Sequence, residues 1–140
     1  MIPVERALQE IVVGEKACVR RIISAEEIEI FRKLSGDEKS PIHNDPAYAR
    51  RHGFKGKLAY GAMLGTLLSE LVGMHLPGRN SMCITQSFKF KKPFYVGDEL
   101  QLSGVVTAKS MVTQLIDLSL KVTRGEEVIA TGGACVRLLQ

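Results

Sequence analysis

Residues 60–76 read YGAMLGTLLSELVGMHL. In this stretch Met63, Leu64, Leu67, Leu68, Leu71, Val72 and Met74 cover most of a helix circumference, which predicts a helix buried on nearly all sides. Gly61, Gly65 and Gly73 let neighbouring backbone come close. Thr66, Ser69 and Glu70 interrupt the apolar run, and a membrane span needs about 20 nearly uninterrupted apolar residues, so no span is expected. Beyond Pro77-Gly78 the period falls to two. Phe88 and Phe90 alternate with Ser87 and Lys89. Val112, Ile116, Leu118, Leu120 and Val122 share one parity, as do Val128, Ala130, Ala134, Val136 and Leu138, with turns at Gly97-Asp98 and Arg124-Gly125. One buried helix followed by long antiparallel strands predicts an α+β fold, a curved sheet wrapped around that helix, as a single domain over residues 1–140. The sheet's edges and outer face need cover, so a homodimer is expected.

Upstream of the helix, residues 16–23 alternate and read as a first strand. Ser24 and Glu27 form a capping box for a helix that places Ile28, Phe31 and Leu34 on one face and ends near Gly36. The polar loop GDEKSPIHND follows, then a short helix that begins with Pro46 and stops at Gly53.

Composition narrows the function. The 140 residues are 45% hydrophobic and 24% charged, a globular balance. Nineteen Lys+Arg against fifteen Asp+Glu give a formal charge of +4, spread along the chain. With no Trp and 6% aromatics, this suits an anionic small ligand and not nucleic acid. Cys18, Cys83 and Cys135 are far apart in apolar stretches and read as buried thiols of a reducing compartment. The first ten residues carry two acids and no long apolar run, unlike a signal peptide, so the expected place is the cytoplasm.

Reactive groups concentrate in the polar loop. Asp37 follows Ser35-Gly36, and His43 follows Pro41-Ile42. An Asp–His pair facing one cleft can hold a water and move its proton, since histidine titrates near neutrality. The other reading is that Asp37 caps a turn and His43 is a partly exposed loop residue. His52 and His75 sit at helix ends. His43-Asn44-Asp45 lacks a third ligand at metal spacing, so no metal is expected. Glu70 reads as an exposed or paired structural residue, with the carboxylate base of a thioesterase as its alternative. Lys89, Lys91 and Lys92 surround Phe88 and Phe90 as a solvated strand end or as a landing site for phosphates.

Residues 31–49, FRKLSGDEKSPIHNDPAYA, resemble the signature of the MaoC-like dehydratases, the group that contains the (R)-specific enoyl-CoA hydratases. The segments LAYGAML, LPG and FKFKKPFYVGDEL extend the resemblance over most of the chain. It implies a hot-dog fold and reversible addition of water to trans-2-enoyl thioesters, giving (R)-3-hydroxyacyl thioesters. Asp37 and His43 would be the catalytic pair, and the Gly61 amide would polarise the thioester carbonyl. Ser35, Ser40, Tyr60, Lys89, Lys91 and Lys92 would support or bind substrate. No cofactor is implied, since coenzyme A or acyl carrier protein belongs to the substrate. The chain departs from the family pattern in two places. Six steps separate Asp37 from His43 where five are usual, with Ser40 in the place of the familiar Asn, and Tyr60 stands where many relatives have His. A thioesterase, and an acyl-CoA-binding domain without catalysis, are the alternatives.

Overall fold

The computed structural model describes residues 1–139. Strand β1 (Lys16–Ile22) leads to helix α1 (Ala25–Ser35), where the Ser24 hydroxyl accepts from Glu27 N–H and the Glu27 carboxylate reaches back to Ser24 N–H. The helix ends at Gly36, whose φ of 77° is a left-handed conformation that a side chain disfavours. Two short helices follow, α2 (Pro41–Asn44) and α3 (Pro46–Arg51), each opened by its proline. The central helix is composite. A single 3-10 turn (Gly61–Met63) leads into α4 (Leu64–Glu70), which widens into a π turn (Leu71–His75). Strands β2 (Ser81–Phe90), β3 (Glu99–Ser110), β4 (Leu115–Arg124) and β5 (Glu127–Leu138) complete a five-stranded antiparallel sheet of order β1-β3-β4-β5-β2. Among the described residues no helix is long and apolar enough to cross a membrane.

The core lies between the central helix and the concave face of the sheet. Leu64, Leu67, Leu68 and Leu71 are buried against Leu100, Leu102, Val106, Ile116, Leu118, Leu120, Val122 and Val136, which point inward from alternate strand positions. Gly104 is required for this approach: a Cβ there would stand 2.6 Å from Leu71 Cδ2. Leu8 and Ile11, which periodicity did not single out, close one end of the core, where the Lys109 ammonium donates to both of their carbonyls.

Several expectations need correction. The central helix is not buried all round, because Ala62, Thr66 and Ser69 leave an exposed strip. Leu34 is 80% exposed, whereas Ile28 and Phe31 pack on the core. Steps of three residues fall about 60° short of a full turn each, so Leu34 lies about 120° round from Ile28. Val112 is 95% exposed because the chain turns between β3 and β4 before β4 begins. Cys18 and Cys83 are exposed and Cys135 half-buried. Cys18 takes the outward parity of β1, and Cys83 lies on the edge strand β2. In β5, Ile129 is buried beside Ala130 while Val128 is half-buried, because a register shift opposite Val122 and Thr123 breaks the alternation. The loop before Asp45 contains the extra helical turn α2, so His43 is held on a helix.

Leu67 is 1% exposed, and Leu67→Ala should destabilise the protein by about 2–5 kcal/mol through the cavity it leaves. Leu34→Ala should change stability by less than about 0.5 kcal/mol. Urea unfolding of the two variants checks both values, and similar costs would contradict this division of core from surface.

Candidate active site

The head of the central helix is where the polar loop meets the sheet. Residues 58–60 run between two supports: Leu58 N–H donates to the Ile42 carbonyl of α2, and Ala59 N–H donates to the Phe94 carbonyl. Phe94 belongs to the turn between β2 and β3, which is locked by Asp98. One Asp98 oxygen accepts Tyr95 N–H and an Arg124 guanidinium N–H (2.7 Å), and Arg124 also donates to the Pro93 carbonyl. The two walls enclose a mainly apolar cleft of about 500 Å³, lined among others by His43, Phe54, Leu58, Gly61, Phe90, Lys91, Lys92 and Phe94.

His43 has a fixed tautomer. Its Nδ1 lies 2.8 Å from the Leu58 carbonyl oxygen. A carbonyl only accepts, so Nδ1 carries the proton and Nε2 of the neutral ring keeps a lone pair. The imidazole stacks on Tyr60, with centroids 4.1 Å apart and planes 26° apart. Across the cleft, Gly61 opens the 3-10 turn with no side chain capping it at Tyr60. The first N–H groups of a helix have no partner within it, and they attract developing negative charge. A Cβ on Gly61 would lie 3.0 Å from the Phe90 ring, so glycine keeps this amide open beneath Phe90.

Asp37 stands beside the cleft and not in its lining. Its Oδ1 accepts Ser40 N–H (3.2 Å), so it caps the turn between α1 and α2, and its N–H donates to Ser35 Oγ (3.1 Å). Among the described residues no hydrogen bond joins Asp37 to His43. Tyr60 connects them: its ring packs on His43 and its hydroxyl donates to the Asp37 carbonyl (2.9 Å). Tyr60 is 4% exposed, and burial pushes its phenol up, which keeps the hydroxyl protonated as a donor at neutral pH.

The other candidates separate. Ser35 is exposed and donates to the Arg32 carbonyl, outside the cleft. Ser40 is half-buried in the turn, where its carbonyl accepts from Asn44 Nδ2 (2.8 Å). Lys91 and Lys92 reach the cleft mouth, where Lys92 also pairs with Glu127 (2.9 Å). Lys89 opens instead onto a groove on the outer face of the sheet, with Lys16 and Lys121. Glu70 is paired with Arg21 (3.1 Å) and lies away from the cleft. Sequence reasoning missed the Leu58 carbonyl, the loop contacts of Arg32 and Asn44, and Phe54. None carries a local motif, because each acts by where the fold puts it.

A five-stranded antiparallel sheet wrapped on one helix, with an apolar cleft at the helix head, defines the hot-dog fold. Residues 10–128 match the family described as MaoC like domain, and the chain belongs to that family. It is 37% identical over 131 residues to an (R)-specific enoyl-CoA hydratase of Aeromonas caviae, covering 93% of this chain and 97% of that protein. It is 28% identical over 125 residues to a mitochondrial 3-hydroxyacyl-[acyl-carrier-protein] dehydratase of Arabidopsis thaliana, covering 89% of this chain and 67% of that protein. Among solved structures, an (R)-hydratase from A. caviae involved in PHA biosynthesis superposes with a TM-score of 0.86 at 36% identity, covering 94% of this chain and 99% of that one.

Nitrogen-15 NMR of the histidine rings at neutral or higher pH should show the neutral His43 protonated at Nδ1, as the Leu58 contact requires. A neutral ring protonated at Nε2 would contradict the geometry.

Proposed function

We propose that the chain adds water reversibly across the double bond of trans-2-enoyl thioesters, giving (R)-3-hydroxyacyl thioesters. The observation that carries this reading is the pairing, in one apolar cleft, of a histidine with a free Nε2 and a helix-end amide. The acyl chain enters the cleft with its thioester oxygen on Gly61 N–H. His43 Nε2 and the free Asp37 oxygen hold a water between them. As the water oxygen bonds C3, Nε2 takes its proton, and the C2–C3 π electrons move onto the carbonyl oxygen as an enolate. The amide donor stabilises that charge, and its interaction strengthens as the charge develops. Return of the proton to C2 restores the thioester, so every atom of one water ends in the product.

The proposed carrier is coenzyme A, with Lys91 and Lys92 at the mouth facing its phosphates. The Arg21–Glu70 ion pair disfavours the thioesterase alternative, because Glu70 is neither free nor near the amide. The free thiols of Cys18, Cys83 and Cys135 fit a reducing cytoplasm. The working form proposed is a homodimer joined along β2, an edge strand that exposes Met82, Ile84 and Phe90.

With trans-2-enoyl-CoA the enoyl absorbance should fall and no free thiol should appear. Asp37→Asn and His43→Gln should each lower kcat by on the order of 10²-fold or more. Gly61→Pro deletes the donor at a first-turn position that tolerates proline, and should cost about 10²–10³ in kcat. Gly61→Ala, which only displaces the exposed Phe90 ring, should be faster than Gly61→Pro. Thiol release with the double bond retained would establish a thioesterase, and binding without turnover an acyl-binding domain.

Light scattering at micromolar concentration should give twice the chain mass. A monomer with full activity would remove β2 pairing from the function.

A further inference from the structure

The segment between α1 and α2 holds its own shape by local bonds. Asp37 Oδ1 accepts Ser40 N–H, the Glu38 carbonyl accepts from Arg32 Nη1 (3.2 Å), and the Ser40 carbonyl accepts from Asn44 Nδ2. All of these partners lie within residues 32–44; α2 is tied to the segment before the central helix by Leu58, whose N–H donates to the Ile42 carbonyl and whose carbonyl accepts from His43 Nδ1. Among the described residues, one hydrogen bond joins residues 37–40 directly to the head of the central helix, from the buried Tyr60 hydroxyl to the Asp37 carbonyl. Tyr60 immediately precedes Gly61, so the same residue sets the distance between the carboxylate-bearing loop and the amide. Its ring separately holds the plane of His43.

We propose that the Tyr60 hydroxyl is a positioning group that holds the Asp37 turn in register with His43 and the Gly61 amide. The inference rests on the hydratase reading above for its effect on rate, but not for its effect on the loop. The tyrosine at the helix head reaches across to the turn through its hydroxyl and to His43 through its ring. The phenol serves as a donor here and exchanges no proton with substrate.

Tyr60→Phe keeps the aromatic ring in the core and removes only the hydroxyl, so the variant should fold. Two measurements on it separate the clamp from the reaction. By NMR, the heteronuclear NOE of the backbone amides of residues 38–40 should fall as the turn loosens as a unit, while α2, tied to Leu58, stays unchanged. With trans-2-enoyl-CoA, kcat should fall roughly ten- to a hundredfold, as misplacement of a catalytic group does, with KM within twofold. In an Asp37→Asn background the same change should cost less than twofold more, because the carboxylate being positioned is already gone. Unchanged NOE values in residues 38–40 overturn the clamp whatever the activity, and so does a full additional loss in the Asp37→Asn background. A fall in NOE as described, together with a wild-type protein that does not hydrate the substrate, would overturn the hydratase reading and leave the clamp standing.

Discussion

The buried ring of Tyr60 lies against His43 on one side and Phe31 on the other, with centroids 4.1 and 5.1 Å away, while its hydroxyl reaches the Asp37 carbonyl. The central helix, α1, α2 and the polar turn are all fastened at this point, and the Gly61 amide is one peptide away. A hydrogen bond in a desolvated place is expensive to leave unmade, since a buried polar group without a partner costs about 1–3 kcal/mol. The phenol therefore adds a tie from the helix head to a turn that is otherwise held by its own bonds and by α2. The reactive groups themselves stay half-exposed, as groups that must meet water need to be.

Placement of that residue depends in turn on the sheet. Gly104 lets Leu71 sit against β3, which draws the helix into the curve, and residues 58–60 are gripped between the Ile42 and Phe94 carbonyls. Arg124 and Asp98 lock the turn that carries Phe94, so a strand end far along the chain helps set the second wall of the cleft. The chemistry asks little of side chains beyond this. In the proposed reaction one imidazole nitrogen, one backbone N–H and one carboxylate carry it, and most of the catalytic power would come from fixing them before substrate arrives.

The architecture was legible because its signals are periodic. The inward parity of β4 at Ile116, Leu118, Leu120 and Val122, and the apolar coverage of residues 63–72, survive in the structure almost unchanged. Signals that depend on context were not legible. Cys18 is a small apolar residue in an apolar run, yet the pleat turns it outward, and Leu34 continues a spacing that has drifted off the buried face. At the site, Asp37, His43 and Gly61 could be proposed from chain pattern and resemblance, and the structure brings His43 and Gly61, but not Asp37, into the cleft lining. The tautomer of His43 could not be proposed so, because it is set by a carbonyl fifteen residues away whose chemistry every residue shares. The separation of Lys89 from Lys91 and Lys92 was hidden for a related reason: Lys89 lies within β2, while Lys91 and Lys92 follow its end at Phe90, where the chain leaves the strand.

In the proposed reaction water adds to carbon in this cleft and leaves the thioester whole. The most direct test is turnover of trans-2-enoyl-CoA in oxygen-18 water, with the intact product analysed by mass spectrometry. Hydration predicts one heavy oxygen in the hydroxyl at C3 of a product still joined to coenzyme A. Heavy oxygen in a free carboxylate, with the double bond intact, would contradict the account.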